Sequence, residues 1–242
     1  VKPYLKRVNF KMKKIVVFTG AGISAESGVA TFRDTDGLWY NYNVDEVATA
    51  YALKTNPDLV NEFHNTLRAK LKDYEPNEAH KALAKLEERF DVTVVTQNID
   101  NLHERAGSTN VLHLHGELYK SRSSRDMNKI YECLGDINPD DKAEDGSKLR
   151  PHTVLFDEFP YNVDESYKAI RKCDYLLIIG TSLKITYTLN MLTNVNENAK
   201  VIYIDPKPSD DLDYHLPVRY VKKKAVEGVT EVVNEILNNE EI

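Results

Sequence analysis

Ile15-Val16-Val17-Phe18-Thr19-Gly20-Ala21-Gly22-Ile23-Ser24-Ala25-Glu26-Ser27-Gly28 is the stretch that decides the fold. It opens on an almost wholly apolar, β-branched run, the pattern of a strand buried on both faces of a parallel sheet. Gly20 to Gly22 end that strand, and the small residues that follow predict a turn opening a helix. Glycines here let backbone N–H groups approach a pyrophosphate, and a helix N-terminus favours its charge. The same loop without a ligand is a tight strand-to-helix turn, so the loop alone leaves both readings open.

Outward from it, further strands are predicted at residues 92–96, 111–114, 153–156, 175–179 and 201–204. Helical periodicity runs through residues 44–89, punctuated by Pro57 and Pro76. Asn56-Pro57-Asp58 predicts a helix start, and Val60, Phe63, Leu67 and Leu71 share one face of that helix. Ala79, Leu83 and Leu86 repeat the pattern, and residues 229–237 predict an amphipathic closing helix. Residues 120–148 are polar and charged, without apolar periodicity, and predict a small irregular module or surface excursion. Strands alternating with helices predict an α/β fold, a Rossmann-like doubly wound parallel sheet with a smaller inserted module. The corresponding division is 12–40, 88–118 and 149–242 for the sheet domain, 41–87 for a helical insert, and 119–148 for the module.

Composition narrows the function. Among 242 residues, Asp and Glu outnumber Lys and Arg by 38 to 32, so a basic nucleic-acid face is not expected. Two cysteines, Cys133 and Cys173, are too few for a disulfide framework or a four-thiolate zinc site. No apolar run nears the ~20 residues that span a bilayer, and no signal-peptide pattern precedes Lys13. A cytoplasmic setting is the default expectation, with no membrane partner. Met12-Lys13-Lys14 directly before the strand suggests a natural start; residues 1–11 are then an upstream extension or an added segment and carry no structural weight. An ordinary dehydrogenase would carry an acidic residue ~20 positions beyond the glycine loop, at the end of a second strand. Here that region is Leu38-Trp39-Tyr40-Asn41-Tyr42-Asn43, aromatic and loop-like, so that plan does not fit.

Three further motifs follow in order. Thr96-Gln97-Asn98-Ile99-Asp100 leads to Leu102-His103 and Ala106-Gly107; His115-Gly116 follows a strand; Gly180-Thr181-Ser182-Leu183 follows Tyr175–Ile179. As bare residues, Asn98 and Asp100 are common turn formers, and a lone histidine is more often structural than catalytic. Together with Gly20–Gly28 and Phe32-Arg33, however, the set resembles the sirtuins, NAD-consuming protein-lysine deacylases, from about residue 15 to about 236. The resemblance implies NAD as cofactor and acyl-lysine proteins or peptides as substrates. It implies attack of the acyl oxygen on the carbon bearing nicotinamide, giving an alkylimidate and finally free lysine and O-acyl-ADP-ribose. His115 would be the catalytic general base on a ribose hydroxyl, with His113 as its rival on the same strand. The cofactor-binding set it implies is Gly20, Ala21, Gly22, Ser24, Phe32, Arg33, Gln97, Asn98, Ile99, Asp100, Gly180, Thr181, Ser182, Asp205 and Ala225. Asn98 and Asp100 would hold nicotinamide, and Gln97, Thr181 and Ser182 ribose and phosphate.

The departures from that family are informative. Its zinc-binding cysteine pairs fall on Ser123 and Asp126, and near Lys142 and Asp145, so no metal is expected. The acyl pocket would be lined by Ala48, His64 and Leu67. In the members that remove acidic acyl groups, a Tyr and an Arg stand at the last two positions; Arg68 is one residue off, about 100° around the helix. A wide pocket for acetyl or longer neutral acyl groups, rather than succinyl, is therefore expected. The peptide strand would use Val154, Phe156 and Asp157, the last replacing a glycine and bringing a carboxylate toward the peptide. That change makes an NAD glycohydrolase or ADP-ribosyltransferase the alternative. A catalytically weak NAD- or ADP-ribose-binding module is a third reading, and Gln97, Asn98, Asp100 and His115 argue against it.

Overall fold

A computed structural model of the chain describes residues 12–30, 42–212 and 215–238. Six parallel strands form the main sheet in the order β3-β2-β1-β7-β8-β9. They are β1 (Lys14–Thr19), β2 (Asp91–Thr96), β3 (Val111–His113), β7 (Tyr175–Ile179), β8 (Lys200–Ile204) and β9 (Val218–Val221). The chain builds outward from β1 through β2 to β3, then returns to β7 on the other side of β1 and builds outward again. That reversal is the topological switch point of a doubly wound sheet, where ligands sit outside the carboxyl ends of the strands.

The continuous apolar runs have a direct cause. Alternate residues of a strand face opposite sides, and both sides are covered. Ile15 and Val17 pack with Ala79 and Leu83 of α4 (Glu78–Lys85) and with Val229, Val232, Val233 and Ile236 of α8 (Ala225–Asn238). Val16 and Phe18 pack on the other side with Ile170 of α6 (Val163–Ile170) and Met191 and Leu192 of α7 (Thr186–Leu192). Each such side chain fully removed from water contributes about 1.5–3 kcal/mol.

Ahead of α4 come α1 (Val44–Val47), α2 (Ala50–Thr55) and α3 (Pro57–Leu71). Asn43, Thr49, Asn56 and Asn77 each cap the helix that follows by accepting a first-turn amide, and Pro57 stands at the start of α3 as predicted. Val60, Phe63 and Leu71 are buried along the expected face. After β2 comes the short α5 (Leu102–Ala106), ended by Gly107 at φ 108°.

Two expectations need correction. The loop after β1 opens no α-helix among the described residues. Ala21–Ile23 and Ala25–Ser27 are single 3-10 turns, and the second ends at Gly28 with φ 90°. Gly22, Ser24 and Ser27 are weak helix formers and Gly28 adopts the left-handed conformation, so propagation fails. The strand expected at 153–156 lies earlier, as β6 (Leu149–Thr153), and belongs to a second sheet. That sheet pairs β5 (Ile130–Glu132) and β6 antiparallel on either side of β4 (Gly116–Ser123). The region expected to be irregular is thus a three-stranded module. It is fastened to α3 by Arg68, whose Nε donates to Leu118 O at 2.8 Å and whose Nη1 donates to Asn65 Oδ1 at 2.7 Å and Gly135 O at 3.1 Å.

Candidate active site

The site is built where the chain crosses the switch point. Gly20 N donates to Ile179 O at 3.0 Å, and Gly22 N donates to Gly180 O at 2.8 Å. A Cβ on Gly22 would lie 2.6 Å from Gly180 Cα, and one on Gly180, at φ 59°, would lie 2.5 Å from Ile23 N. The two loops therefore interlock backbone to backbone, which only glycine permits. Ala21 and Ser24 extend this wall, Ser24 fully buried.

Beside it, the turn after β2 is lashed to the glycine loop. Asn98 Nδ2 donates to Gly20 O at 3.2 Å and to Ser24 Oγ at 3.3 Å. Ser24 Oγ donates to Asp100 Oδ2 at 3.0 Å, and Asp100 Oδ1 accepts from Leu102 N at 3.1 Å. Burial pushes the Asp100 carboxyl up, against the pull of the Leu102 amide and Ser24. Gln97 bridges to the third loop, its Oε1 accepting from Thr181 Oγ1 at 2.8 Å, and Tyr203 Oη holds Thr181 O from below. Ile99 O accepts from Leu118 N of β4 at 2.8 Å, so this turn also anchors the module.

His115 closes the group. Its Nδ1 lies 2.8 Å from Gln97 O, an acceptor only, so Nδ1 carries the proton and Nε2 the lone pair. Burial pulls its pKa down, opposed by that carbonyl, so the ring is a neutral base near pH 7. His113 is differently placed: Nδ1 donates to Asn98 O at 2.8 Å and Nε2 meets Glu104 Oε1 at 2.7 Å. Burial works against its charge, yet the hydrogen bond and charge of Glu104 raise its pKa overall. That makes it a paired cation bracing the Asn98 turn. Glu104, His113 and Glu117 bring ligand-type atoms within 4.8 Å of one another, but Glu104 is engaged by His113 and Glu117 by Lys120 at 2.7 Å.

Of the residues expected on the substrate side, Val154 touches His115, and the others are linked to one another beyond it. Val154 N donates to His115 O at 2.9 Å, and Phe156 N donates to Ala48 O at 2.9 Å. Phe156 itself is 61% exposed. Asp157 Oδ1 accepts from Ala50 N at 2.6 Å, so its carboxylate caps α2. The turn is braced by Arg150, whose Nη1 and Nη2 grip Glu158 at 2.5 and 2.9 Å, while Glu158 Oε2 accepts from Leu155 N at 3.0 Å. His64 is buried, donating from Nδ1 to Val60 O at 2.7 Å and accepting from Thr153 Oγ1 at 2.9 Å. Burial holds its pKa at about 4, so it is neutral. Leu67 packs on the apolar cluster of Val47, Ala48 and Phe63.

Other expected residues lie along the same rim. Ser182 is half-buried beside Thr181. Asp205, past the end of β8, takes Lys207 N on Oδ1 at 2.7 Å. Ala225 begins α8, where Glu26 accepts from Val226 N at 2.8 Å. Phe32 and Arg33 lie outside the described residues. A cavity of about 410 Å³ between α3 and the module, lined by Asn61, Asn65, Ile137 and Asn138 among others, holds none of the expected site residues.

At the positions of the expected cysteines the module has a hydrogen-bonded knot. Ser123 Oγ accepts from Arg125 N at 3.0 Å and Asp126 N at 2.9 Å, donates to Asp145 Oδ2 at 2.7 Å, and lies 2.8 Å from Ser147 Oγ. Hydrogen bonds from Ser147 and Ser123 hold the Asp145 carboxyl down at about 2. Asp126 spends Oδ1 on Asn128 N at 3.0 Å.

Two groups here are not among the expected site residues. Thr19 Oγ1 donates to Thr96 Oγ1 at 2.8 Å and accepts from the buried His103 at 3.0 Å, forming the floor under Asn98. Threonine at the last position of two neighbouring strands was the available signal. Tyr187 Oη lies 2.7 Å from His115 Nε2, a contact across 72 residues with no local signature.

Comparison with known proteins identifies the family. The model of the Sir2 family matches residues 20–187. An NAD-dependent protein deacylase of Helicobacter pylori is 43% identical over 93% of this chain and 98% of its own length. One of Bacteroides thetaiotaomicron is 46% identical over 91% of this chain and 97% of its own. The crystal structure of a Sir2 homologue–NAD complex superposes with a TM-score of 0.83 at 34% identity, covering 94% of this chain and 91% of that one. A family match spanning the glycine loop, the Asn98 turn, His115 and the Gly180 loop, with relatives aligned nearly end to end, places this chain in the Sir2 family.

Proposed function

We propose that this chain is an NAD-dependent protein-lysine deacylase that transfers the acyl group to ADP-ribose and releases nicotinamide. The observation that carries the reading is the neutral, oriented imidazole of His115, its Nδ1 held by the backbone of Gln97, whose side chain in turn reaches Thr181 of the Gly180 loop. NAD enters as a substrate. The glycine crossing offers close backbone approach to its pyrophosphate, and the Asn98–Ser24–Asp100 set offers an amide and a carboxyl to the nicotinamide carboxamide. Gln97 and Thr181 face the ribose. The acyl oxygen attacks the carbon that nicotinamide leaves, giving the alkylimidate; His115 then takes a ribose hydroxyl proton at Nε2 as that oxygen attacks the imidate carbon, and water completes release of free lysine and O-acyl-ADP-ribose. Ala48, Val154, Phe156 and Asp157 line the acyl-lysine and its peptide.

The acyl group is acetyl or a longer neutral chain. Neutral His64 and apolar Leu67 stand where a carboxylate would need a donor pair, and Arg68 is committed to Leu118, Asn65 and Gly135. The module folds without zinc, because Ser123, Asp126 and Asp145 are spent on each other and on backbone amides, while Lys142 brings a positive charge. Elemental analysis of the purified protein checks this; one zinc per chain would overturn it.

The deciding experiment follows nicotinamide release from NAD with acetyl-, decanoyl- and succinyl-lysine peptides and with no peptide. Release that requires the acetyl or decanoyl peptide supports the proposal. Succinyl turnover well above acetyl refutes the pocket assignment. Equal release without peptide refutes deacylation in favour of NAD hydrolysis or ADP-ribosyl transfer.

A further inference from the structure

Tyr187, the second residue of α7, sets its hydroxyl 2.7 Å from His115 Nε2, with the two rings edge to face at a centroid distance of 6.3 Å. Because Nδ1 donates to Gln97 O, Nε2 is the acceptor and the phenol is the donor. Burial raises the phenol's pKa, so it keeps its proton. The shifts of both groups come from burial and, for His115, the Gln97 carbonyl; no charged side chain among the described residues enters either.

One lone pair accepts one strong hydrogen bond. The Nε2 that must receive a ribose proton is already taken by a hydroxyl of the chain itself. We propose that Tyr187 is a positioning residue, a displaceable latch that holds the His115 ring oriented in the free enzyme and yields its place to a ribose hydroxyl when NAD binds. Binding then exchanges one O–H donor on Nε2 for another, and the base is never left without a partner. The identity of the incoming hydroxyl rests on the deacylase reading; the latch itself does not.

The test is Tyr187→Phe, which keeps the ring and removes the hydroxyl. With no competitor on Nε2, KM for NAD and Kd for ADP-ribose fall by about threefold to tenfold, the worth of one hydrogen bond, and by more than kcat changes. The pKa of His115, followed by NMR of the labelled ring, rises by about half to one unit, because the neutral form has lost its donor. Unchanged Kd and pKa would reduce Tyr187 to packing, and a tenfold loss of kcat at constant KM would make it a proton relay; either overturns the latch. A measurement on the wild-type protein guards against a variant that does not fold: ADP-ribose must replace the phenol on Nε2, seen as loss of the Tyr187 hydroxyl coupling to that nitrogen. Persistence of that coupling at saturation overturns the proposal. If acyl peptides give no nicotinamide release, the deacylase reading fails, while the ADP-ribose titration still decides the latch.

Discussion

Acidification to about pH 4.5 should unfold this protein, and His152→Phe should relieve a measurable share of the loss. His64, His80 and His152 are buried with no ion pair among the described residues, and burial, outweighing the charges of Glu104 at His80 and Glu117 at His152, holds each at about 4. In the unfolded chain each titrates near 6.5. As the pH falls, the unfolded chain takes up the proton first, so stability is intact above about 6.5 and drains away down to about 4. Each ring costs about 1.4 kcal/mol per pH unit within that window, and the set about 4. From about pH 6.5 to about 4 the three rings together cost about 9–10 kcal/mol, so for a total in the lower half of the usual about 5–15 kcal/mol the midpoint falls at about pH 4–5. His152 is the cleanest ring to remove. It stacks on Tyr161 at 4.7 Å, its Nδ1 has no hydrogen-bond partner, and phenylalanine fills nearly the same space. Urea denaturation at pH 7.5, 6.5, 5.5 and 5.0 would measure both chains. His152→Phe should match the parent at pH 7.5 and lead it by about 1–2 kcal/mol at pH 5. Parallel stability curves across that range would refute the reasoning.

Replacing His115 by Asn should lower kcat by about 10²–10⁴ while leaving Kd for NAD within a few-fold, as isothermal titration would show; an equal loss of binding would recast His115 as structural. Gly180→Ala should destabilise the fold by about 2–3 kcal/mol or more, because its Cβ would meet Ile23 N at 2.5 Å with φ at 59°; an unchanged melting temperature would show that the two loops separate easily. Ser123→Ala should cost about 1–3 kcal/mol by orphaning the Arg125 and Asp126 amides. Hydrogen exchange should then rise within residues 116–153 and not in the main sheet.

The main sheet was legible because its strands are buried on both faces and so are apolar throughout, as in Ile15 to Thr19 and Tyr175–Ile179. The strands that escaped notice lack that signature. β4, Gly-Glu-Leu-Tyr-Lys-Ser-Arg-Ser, buries Ser121, Arg122 and Ser123, and polar burial depends on partners that sequence proximity does not reveal. β9 is an edge strand with alternating exposure and an arginine on it. In the site, glycine spacing announced a close approach, but which loop would approach which depended on the strand order. The position of Asn98 and Asp100 past a strand end suggested a ligand edge; their link through Ser24 required the fold. The reassignment of Asp157 from a substrate contact alone to a cap on Ala50 has the same origin, a partner 107 residues away.

The knot of Ser123, Asp145 and Ser147 changes what the protein depends on in its surroundings. A module held by thiolates around an ion can be undone by peroxide, which oxidises the sulfurs, or by scarcity of the ion. Hydroxyls and a carboxylate undergo neither reaction, and both of the chain's cysteines are buried, with burial raising their thiol pKa values. On the zinc-free reading proposed above, the integrity of the site's neighbouring module is set by the peptide chain, and its shape would survive oxidative stress or metal limitation without resupply.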